Sequence, residues 1–520
     1  MFSKWTIMRT KAIFLLLFVL LTTYNGQAQT AVLAGSIDEF SLRDQQLLGK
    51  LKNSYSFTVR PVLVHPLDSA VYFSDPLLQQ QQRNYFNKKK SIRFIAIPLG
   101  IQQQYNTHSA WGRNNEDFLL TAGYQQMIKV GAAIHSKWLN VQLIPAYFWA
   151  APNSILSKGY QKFSLGQSAI RLKLGPSPLS ISLSTENLWW GPGVFNSLMM
   201  SNNAPSFPHV SFHTNKPIKT PVGHFEFQVI GGQLSSKANL PFENKDPNTL
   251  YPSFSLEKRY FNGINFAYQP IFAKGFTVGM NRMFQRYEKD ADMEGSFLQK
   301  YMPVVTSVFK SNTGGGNGVV EDARSRDQLV NLFARYLFQQ YNTEIYGEFG
   351  WNDHKYNIRD LTLNPDHAAA YLVGLRKVFA IDSKKRFTLE AEATQLEPTN
   401  SEIARNAGNW YVHGIVLEGY TNENQIIGGG IGPGDNTASI RMTYSTKSIR
   451  QSLRIERYQH DPRFHDNKWT DWSFAIAHQQ MIKKYLVGAA IDFVSRSGFQ
   501  WTKQNFVNMQ FNLKVQYFLF

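Results

Sequence analysis

The C-terminal stretch of this chain alternates without a break. Met509, Phe511, Leu513, Val515, Tyr517 and Leu519 take the odd positions, and Asn508, Gln510, Asn512, Lys514 and Gln516 the even ones. A period of two lays one set on each face of a β-strand, giving an apolar face and a polar face. The same alternation recurs in 179–187, 222–230, 343–351 and 386–394, where the polar face includes Glu226, Glu344, Glu348, Glu390 and Glu392. Two architectures use such strands. A soluble β-sandwich hides the apolar face in its core, whereas a transmembrane β-barrel turns it to lipid and keeps a polar lumen.

Export and aromatic content favour the barrel. Lys4, Arg9 and Lys11 precede an apolar run from Ala12 to Leu21, and Gly26-Gln27-Ala28 is a small-x-small cleavage site. Residues 1–28 therefore read as a secretory signal peptide, with no cysteine behind it to carry a lipid. Beyond it no apolar run is long enough for a membrane-spanning helix. Aromatic residues make up 14% of the chain, enough for girdles at both membrane interfaces. The chain ends Tyr517-Phe518-Leu519-Phe520, the aromatic ending of outer-membrane barrels. The expected fold is all-β: a transmembrane antiparallel β-barrel over 91–520 in the cell outer membrane. About 16 to 20 candidate strands fit that span, and an even count makes 18 the central value. A secreted sandwich array is the alternative fold. Residues 29–90 do not alternate. Ile37 to Leu51 suggests a short amphipathic helix with Phe40, Leu47, Leu48 and Leu51 as its apolar positions, so 29–90 is expected to be a small helical N-terminal plug. The echo of QQMIK and VGAAI at 125–134 and 479–491 fits hairpins at both places.

Chemistry is sparse. The absence of cysteine excludes disulfides, thiolate metal sites and a thiol nucleophile. No HExxH or GxSxG motif occurs, and Gly428 to Gly434 (GGGIGPG) lacks the Lys-Ser/Thr of a P-loop. No catalytic residue, metal or cofactor is expected.

The segment Glu186 to Pro205, ENLWWGPGVFNSLMMSNNAP, is the most unusual. Trp189 and Trp190 precede Gly191-Pro192-Gly193, so two large rings stand where the chain must turn. Ser201, Asn202 and Asn203 follow with paired donors and acceptors. Indole faces against sugar C–H faces, with amides on the hydroxyls, hold carbohydrate without charge. The same residues also suit a membrane-interface girdle followed by a tight turn. WWGPG followed by SNNAP resembles the signature of the capsule-assembly Wzi family of Gram-negative outer-membrane proteins. Gly419-Tyr420-Thr421, Gly428 to Gly434 and Asp435-Asn436 resemble a second stretch of the same family. The resemblance implies an 18-stranded barrel, plugged at its periplasmic end by a helical element. It further implies a surface lectin that helps attach and organise capsular polysaccharide. The candidate glycan-binding residues are Glu186, Trp189, Trp190, Asn202, Asn203, Tyr420, Asp435 and Asn436. The alternative function is a transport channel for a solute or polysaccharide.

Charge qualifies the partner. The formal net charge of +17 becomes about +14 once Lys4, Arg9 and Lys11 leave with the signal peptide. Luminal carboxylates such as Glu344, Glu348, Glu390 and Glu392 are expected to absorb some of the basic residues, and the surplus is expected on loops and rims, among them Arg113, Lys158, Lys162, Lys310 and Arg463. There it would meet an acidic capsular or exopolysaccharide, or the phosphates of lipopolysaccharide and outer-membrane lipid. No nucleic-acid partner is expected for an exported barrel, and a monomer suffices.

Overall fold

The computed structural model describes residues 30–64, 92–153, 156, 158–236, 257–293, 304, 326–352, 362–398, 408–463 and 465–518. The expected signal peptide, Lys310 and Leu519 lie outside the described residues. Eighteen antiparallel staves close into a barrel. The first stave, Arg93–Asn106, seals against the last, Asn505–Tyr517, with Asn106 opposite Gln510 and Leu99 opposite Tyr517. Tyr105 and Phe511 meet across that seam, ring centroids 6.4 Å apart.

The alternation read from the sequence sets the inside–outside phase. In Arg386–Gln395 the buried residues are Arg386, Thr388, Glu390, Glu392 and Thr394, while Phe387 is exposed. Leu453 and Ile455 point outward at 50% exposure each, whereas Arg450 and Glu456 of the same stave are buried. A soluble sheet would show the opposite pattern. Apolar side chains outside and polar ones inside define a barrel solvated by lipid. In the last stave Leu513 faces out, and Asn508 and Gln510 are buried inside.

Prolines interrupt the ladder. Pro145 divides one stave into Leu139–Leu143 and Ala146–Ala150, Pro217 divides another into His209–Thr214 and Ile218–Thr220, and the register shifts around Pro98. Proline has no N–H to give to a neighbour, so each marks a bulge. The stave at 209–220 does not read as one strand in the sequence because its alternation stops at Asn215-Lys216-Pro217. The echo at 125–134 is a correction: it lies within one continuous strand, Gly123–His135, and only the copy at 479–491 turns a hairpin.

Successive staves are joined alternately by short turns, such as 446–448 and 483–484, and by long connections, such as 107–122, 185–208 and 396–435. Short turns face the periplasm in outer-membrane barrels, and long connections face outward. Helix α1 (Ile37–Leu47) lies inside the lumen towards the short-turn end, where Gln339 donates to the carbonyl of Leu47 at 2.7 Å. Ser36 caps it, accepting from the Glu39 N–H at 3.1 Å while the Glu39 carboxylate accepts the Gly35 N–H at 2.6 Å. Glu39, Arg43, Asp44, Gln45 and Gln46 are all buried, because the surroundings of this helix are a polar lumen. The N-terminal element is not helical alone. Thr30–Val32 pairs with Val62–Val64, and Val59–Arg60 pairs with Trp189–Trp190.

Candidate functional site

The long connection after Ser184 folds back into the lumen and becomes a strap between plug and wall. Its N–H groups face the wall: Glu392 accepts from Val194, Phe195 and Asn196 at 2.7, 3.1 and 2.7 Å, and Glu348 accepts from Leu198 at 3.0 Å. Its carbonyls face the plug: Arg60 donates to Gly191 and Gly193 at 2.5 and 2.9 Å, and Arg43 donates to Pro192 at 2.7 Å. Gly191 has φ +118°, and a Cβ there would strike the Glu348 carboxylate, so only glycine fits.

Ion pairs fix the plug from its other side. Arg43 reaches Glu344 at 2.5 Å, and Asp44 receives Arg376 and Arg386 at 2.6 Å each. Burial pushes the Asp44 carboxyl upward, but the two guanidiniums outweigh it and hold the group below its ordinary value of 3.8. Arg60 pairs with Glu39 at 2.8 Å.

Between plug, strap and the wall formed by residues 436–516 lies a cavity of about 420 Å³. Its lining combines aromatic faces (Phe40, Trp111, Trp189, Phe195, Tyr458) with amides such as Asn202 and Asn512. Seven arginines border it: Arg43, Arg60, Arg113, Arg376, Arg441, Arg450 and Arg454. Arg113 is paired with Glu456, and Arg454 with Asp492 at 2.6 Å. Such a lining offers hydrogen-bond donors, acceptors and ring faces together.

The family profile described as capsule assembly protein Wzi matches residues 96–517. The chain belongs to the Wzi capsule assembly family. No curated protein is similar to it in sequence. Among solved structures it is similar to Wzi of Escherichia coli, described as an outer membrane protein involved in group 1 capsule assembly and a carbohydrate-binding β-barrel. The two are 13% identical, the match covers 94% of this chain and 100% of that one, and the TM-score is 0.63, a shared fold. It is also similar to OpdK of Pseudomonas aeruginosa, at 10% identity over 81% of this chain and 97% of that one with a TM-score of 0.43.

In this Wzi-family barrel the eight residues singled out from the sequence do not form one cluster. Trp189 and Asn202 border the large cavity. Asn202 donates to the Ala34 carbonyl at 3.3 Å and so also holds the plug. Trp190 is buried in an apolar cluster with Leu198, Met199, Phe261 and Tyr420, and its Nε1 donates to Gln228 at 2.8 Å. The turn therefore does not present the two indoles outward, and it is not an interface girdle either. Asn203 joins two connections, accepting from the Asn114 N–H at 3.1 Å and donating to the Ile426 carbonyl at 3.0 Å. Tyr420 stacks on Tyr411 with centroids 5.7 Å apart. Glu186 is ion-paired with Arg171 and borders a separate cavity of about 90 Å³ with His209 and His213.

Asp435 and Asn436 sit at the long-connection end. Asp435 meets His460 Nδ1 at 2.6 Å and accepts the Asp461 N–H at 3.0 Å, and Asp471 meets Nε2 of the same ring at 3.0 Å. Burial raises the Asp435 carboxyl above its ordinary range, against the opposing pull of His460. Asn436 bonds Glu397 at 2.7 Å.

Two placements correct the sequence reading of charge. Arg113 is buried inside on Glu456, and Lys162 is paired with Asp117 and Glu423 at 2.8 and 2.9 Å, so neither is a free rim cation. Lys158 is exposed and Arg463 partly so. The six cavity arginines other than Arg113 were not singled out from the sequence. The signal was present: Arg450, Ser452, Arg454, Glu456 and Tyr458 follow the luminal phase of their strand.

Proposed function

We propose that this barrel binds a surface polysaccharide, capsular or exopolysaccharide, and assists its attachment and assembly at the outer membrane without catalysing a reaction. The observation that carries this reading is the cavity beside the plug, which the Trp189 ring, the Asn202 amide and guanidinium groups all line. Aromatic rings take the C–H faces of sugars, and guanidinium and amide groups bond hydroxyls or carboxylates. Trp190, Asn203 and Tyr420 act in this reading by shaping the in-turned connections. Glu186, Asp435 and Asn436 lie outside this cavity, at separate positions near the long connections. Membership of a capsule assembly family supports the same reading, as does the carbohydrate binding stated for the Escherichia coli protein of the same fold. Residues 1–28 are proposed as the signal peptide, 29–90 as the plug and 91–520 as the barrel, working as a monomer amid lipopolysaccharide.

The experiment is binding of the purified full-length protein to the polysaccharide of the cells that make it, paired with conductance in planar bilayers. The reading expects saturable binding and a nearly silent barrel, because the plug is pinned from two sides. Steady conductance without glycan binding would favour the transport channel instead.

A further inference from the structure

Three consecutive short turns, 381–385, 446–448 and 483–484, carry Lys384, Lys385, Lys447, Lys483 and Lys484, all exposed. Asp382 is the one acid among them, and its carboxylate accepts the N–H groups of Lys384 and Lys385 at 2.6 and 2.8 Å. The turns lie side by side, because Arg386 pairs with Ser445, Ser445 with Arg450 and Ile449 with Gln480 across adjacent staves, and the neighbouring Lys384 holds the Lys447 ammonium below its ordinary range.

Basic groups continue inward from this rim. Arg386 opens the stave that follows the first turn, and Arg450 stands one residue into the stave after the second. Both are buried inside the barrel. Around the Phe40 ring of the plug helix lie Arg376, Arg450 and Arg441, with guanidinium carbons 4.1, 4.5 and 5.7 Å from the centroid. From Arg450 the cavity follows the same stave past Arg454 to Tyr458. Lys216 and Lys219 stand on the proline-divided stave at 209–220, near its short-turn end, and Lys274 on the short turn 271–275; all three are exposed and none borders that cavity.

We propose that this sector is a lengthwise track for an acidic, carboxylate-bearing polysaccharide strand, which enters over the lysine-bearing short turns and lies beside the plug. The proposal rests on the glycan-binding reading and deepens it, naming the ligand class and the side of approach. Exposed lysines raise the local concentration of a polyanion. Arg441 holds Glu390, and Arg454 holds Glu456 and Asp492; a guanidinium has five N–H donors, so these groups can still turn a donor to a further carboxylate such as a uronate's. Phe40 and Tyr458 supply ring faces along the way. Phosphates of the inner lipid leaflet would account for lysines on the turns but not for the inward continuation.

The test uses purified full-length protein in detergent, with alginate as the acidic probe and dextran as the neutral one. One variant combines Lys384→Glu, Lys447→Glu and Lys483→Glu. A control with the same change in net charge combines Lys216→Glu, Lys219→Glu and Lys274→Glu. The track predicts that the first variant binds alginate at least tenfold more weakly at low salt, that the control changes less than twofold, and that dextran binding is unaltered in both. Equal losses in the two variants, or no loss in the first, overturn it. So does a first variant altered only in its association with phosphatidylglycerol vesicles. A wild-type protein that binds its own polysaccharide but ignores these charges keeps the glycan reading and loses the track. A wild-type protein that binds no glycan loses both.

Discussion

The Arg60 guanidinium lies 4.6 Å from the centroid of the Trp189 ring while it donates to the carbonyls on either side of Pro192. One side chain of the plug thus covers one indole of the WWGPG motif and ties down its turn. Removing one partner of a buried ion pair leaves the other charge uncompensated, which costs about 3–5 kcal/mol. Arg60→Ala, which strands Glu39, should therefore loosen plug and strap by that order. The expected result is faster proteolysis within residues 30–64, with the barrel still folded and heat-modifiable on gels. Unchanged protection would mean that the strap does not depend on Arg60.

Gly191→Ala tests the strap from the wall side. The substitution forces a side chain into a left-handed backbone, roughly 1 kcal/mol of strain, and presses a methyl on Glu348. Lower thermal stability of the in-turned connection is expected. Gly408→Ala, where nothing lies within 4 Å of the added carbon, should have little effect.

The plug should respond to acid. The Asp44 carboxyl is held below its ordinary value in the folded protein, so its contribution is fully present above 3.8 and is lost as the pH falls through the folded value. Proteolysis of the plug with an acid-tolerant protease should be flat from neutral pH to about pH 5 and should rise below about pH 4. Asp44→Asn should already be sensitive at neutral pH. A wild-type plug equally protected at pH 3 and pH 7 would count against the clamp of Asp44 by Arg376 and Arg386.

The barrel phase makes a paired prediction. Leu513 faces lipid, while Asn512 faces the lumen and donates to Gln510 at 2.9 Å. An arginine at a mid-strand lipid position costs about 2–4 kcal/mol. Leu513→Arg should lower the yield of membrane-inserted barrel far more than Asn512→Arg. Equal yields would mean that the two faces are exchanged.

Much of this architecture was legible in the sequence because a barrel repeats one rule. Each stave shows lipid and lumen in turn, so Ile345 outside and Glu344 inside could be read locally. Spacing bounded the count at about 16 to 20, with 18 as the central even value, although the stave at 209–220 was hidden by its proline bulge. The site was less legible because its contacts are long-range. Nothing near Trp189 in the chain announces Arg60 of the plug, and nothing near Gly193 announces Glu348 or Glu392. An unusual motif was therefore visible, but its role as a strap was not. The sequence reading expected luminal carboxylates to take up part of the positive charge, as Glu344 does for Arg43 and Glu390 for Arg376, but it placed Arg113 on the rim, whereas that side chain is buried inside on Glu456.

The most direct test of the central claim is a binding isotherm between the purified protein and the surface polysaccharide of its own cells, measured for wild type and for Trp189→Ala with Asn202→Ala. Both side chains border the large cavity. Loss of one buried polar contact and one ring face is worth about 1–3 kcal/mol each, so the double variant should bind at least tenfold more weakly while remaining a folded barrel. Wild-type affinity in a folded double variant, or no binding by the wild type, would contradict a glycan site in this cavity.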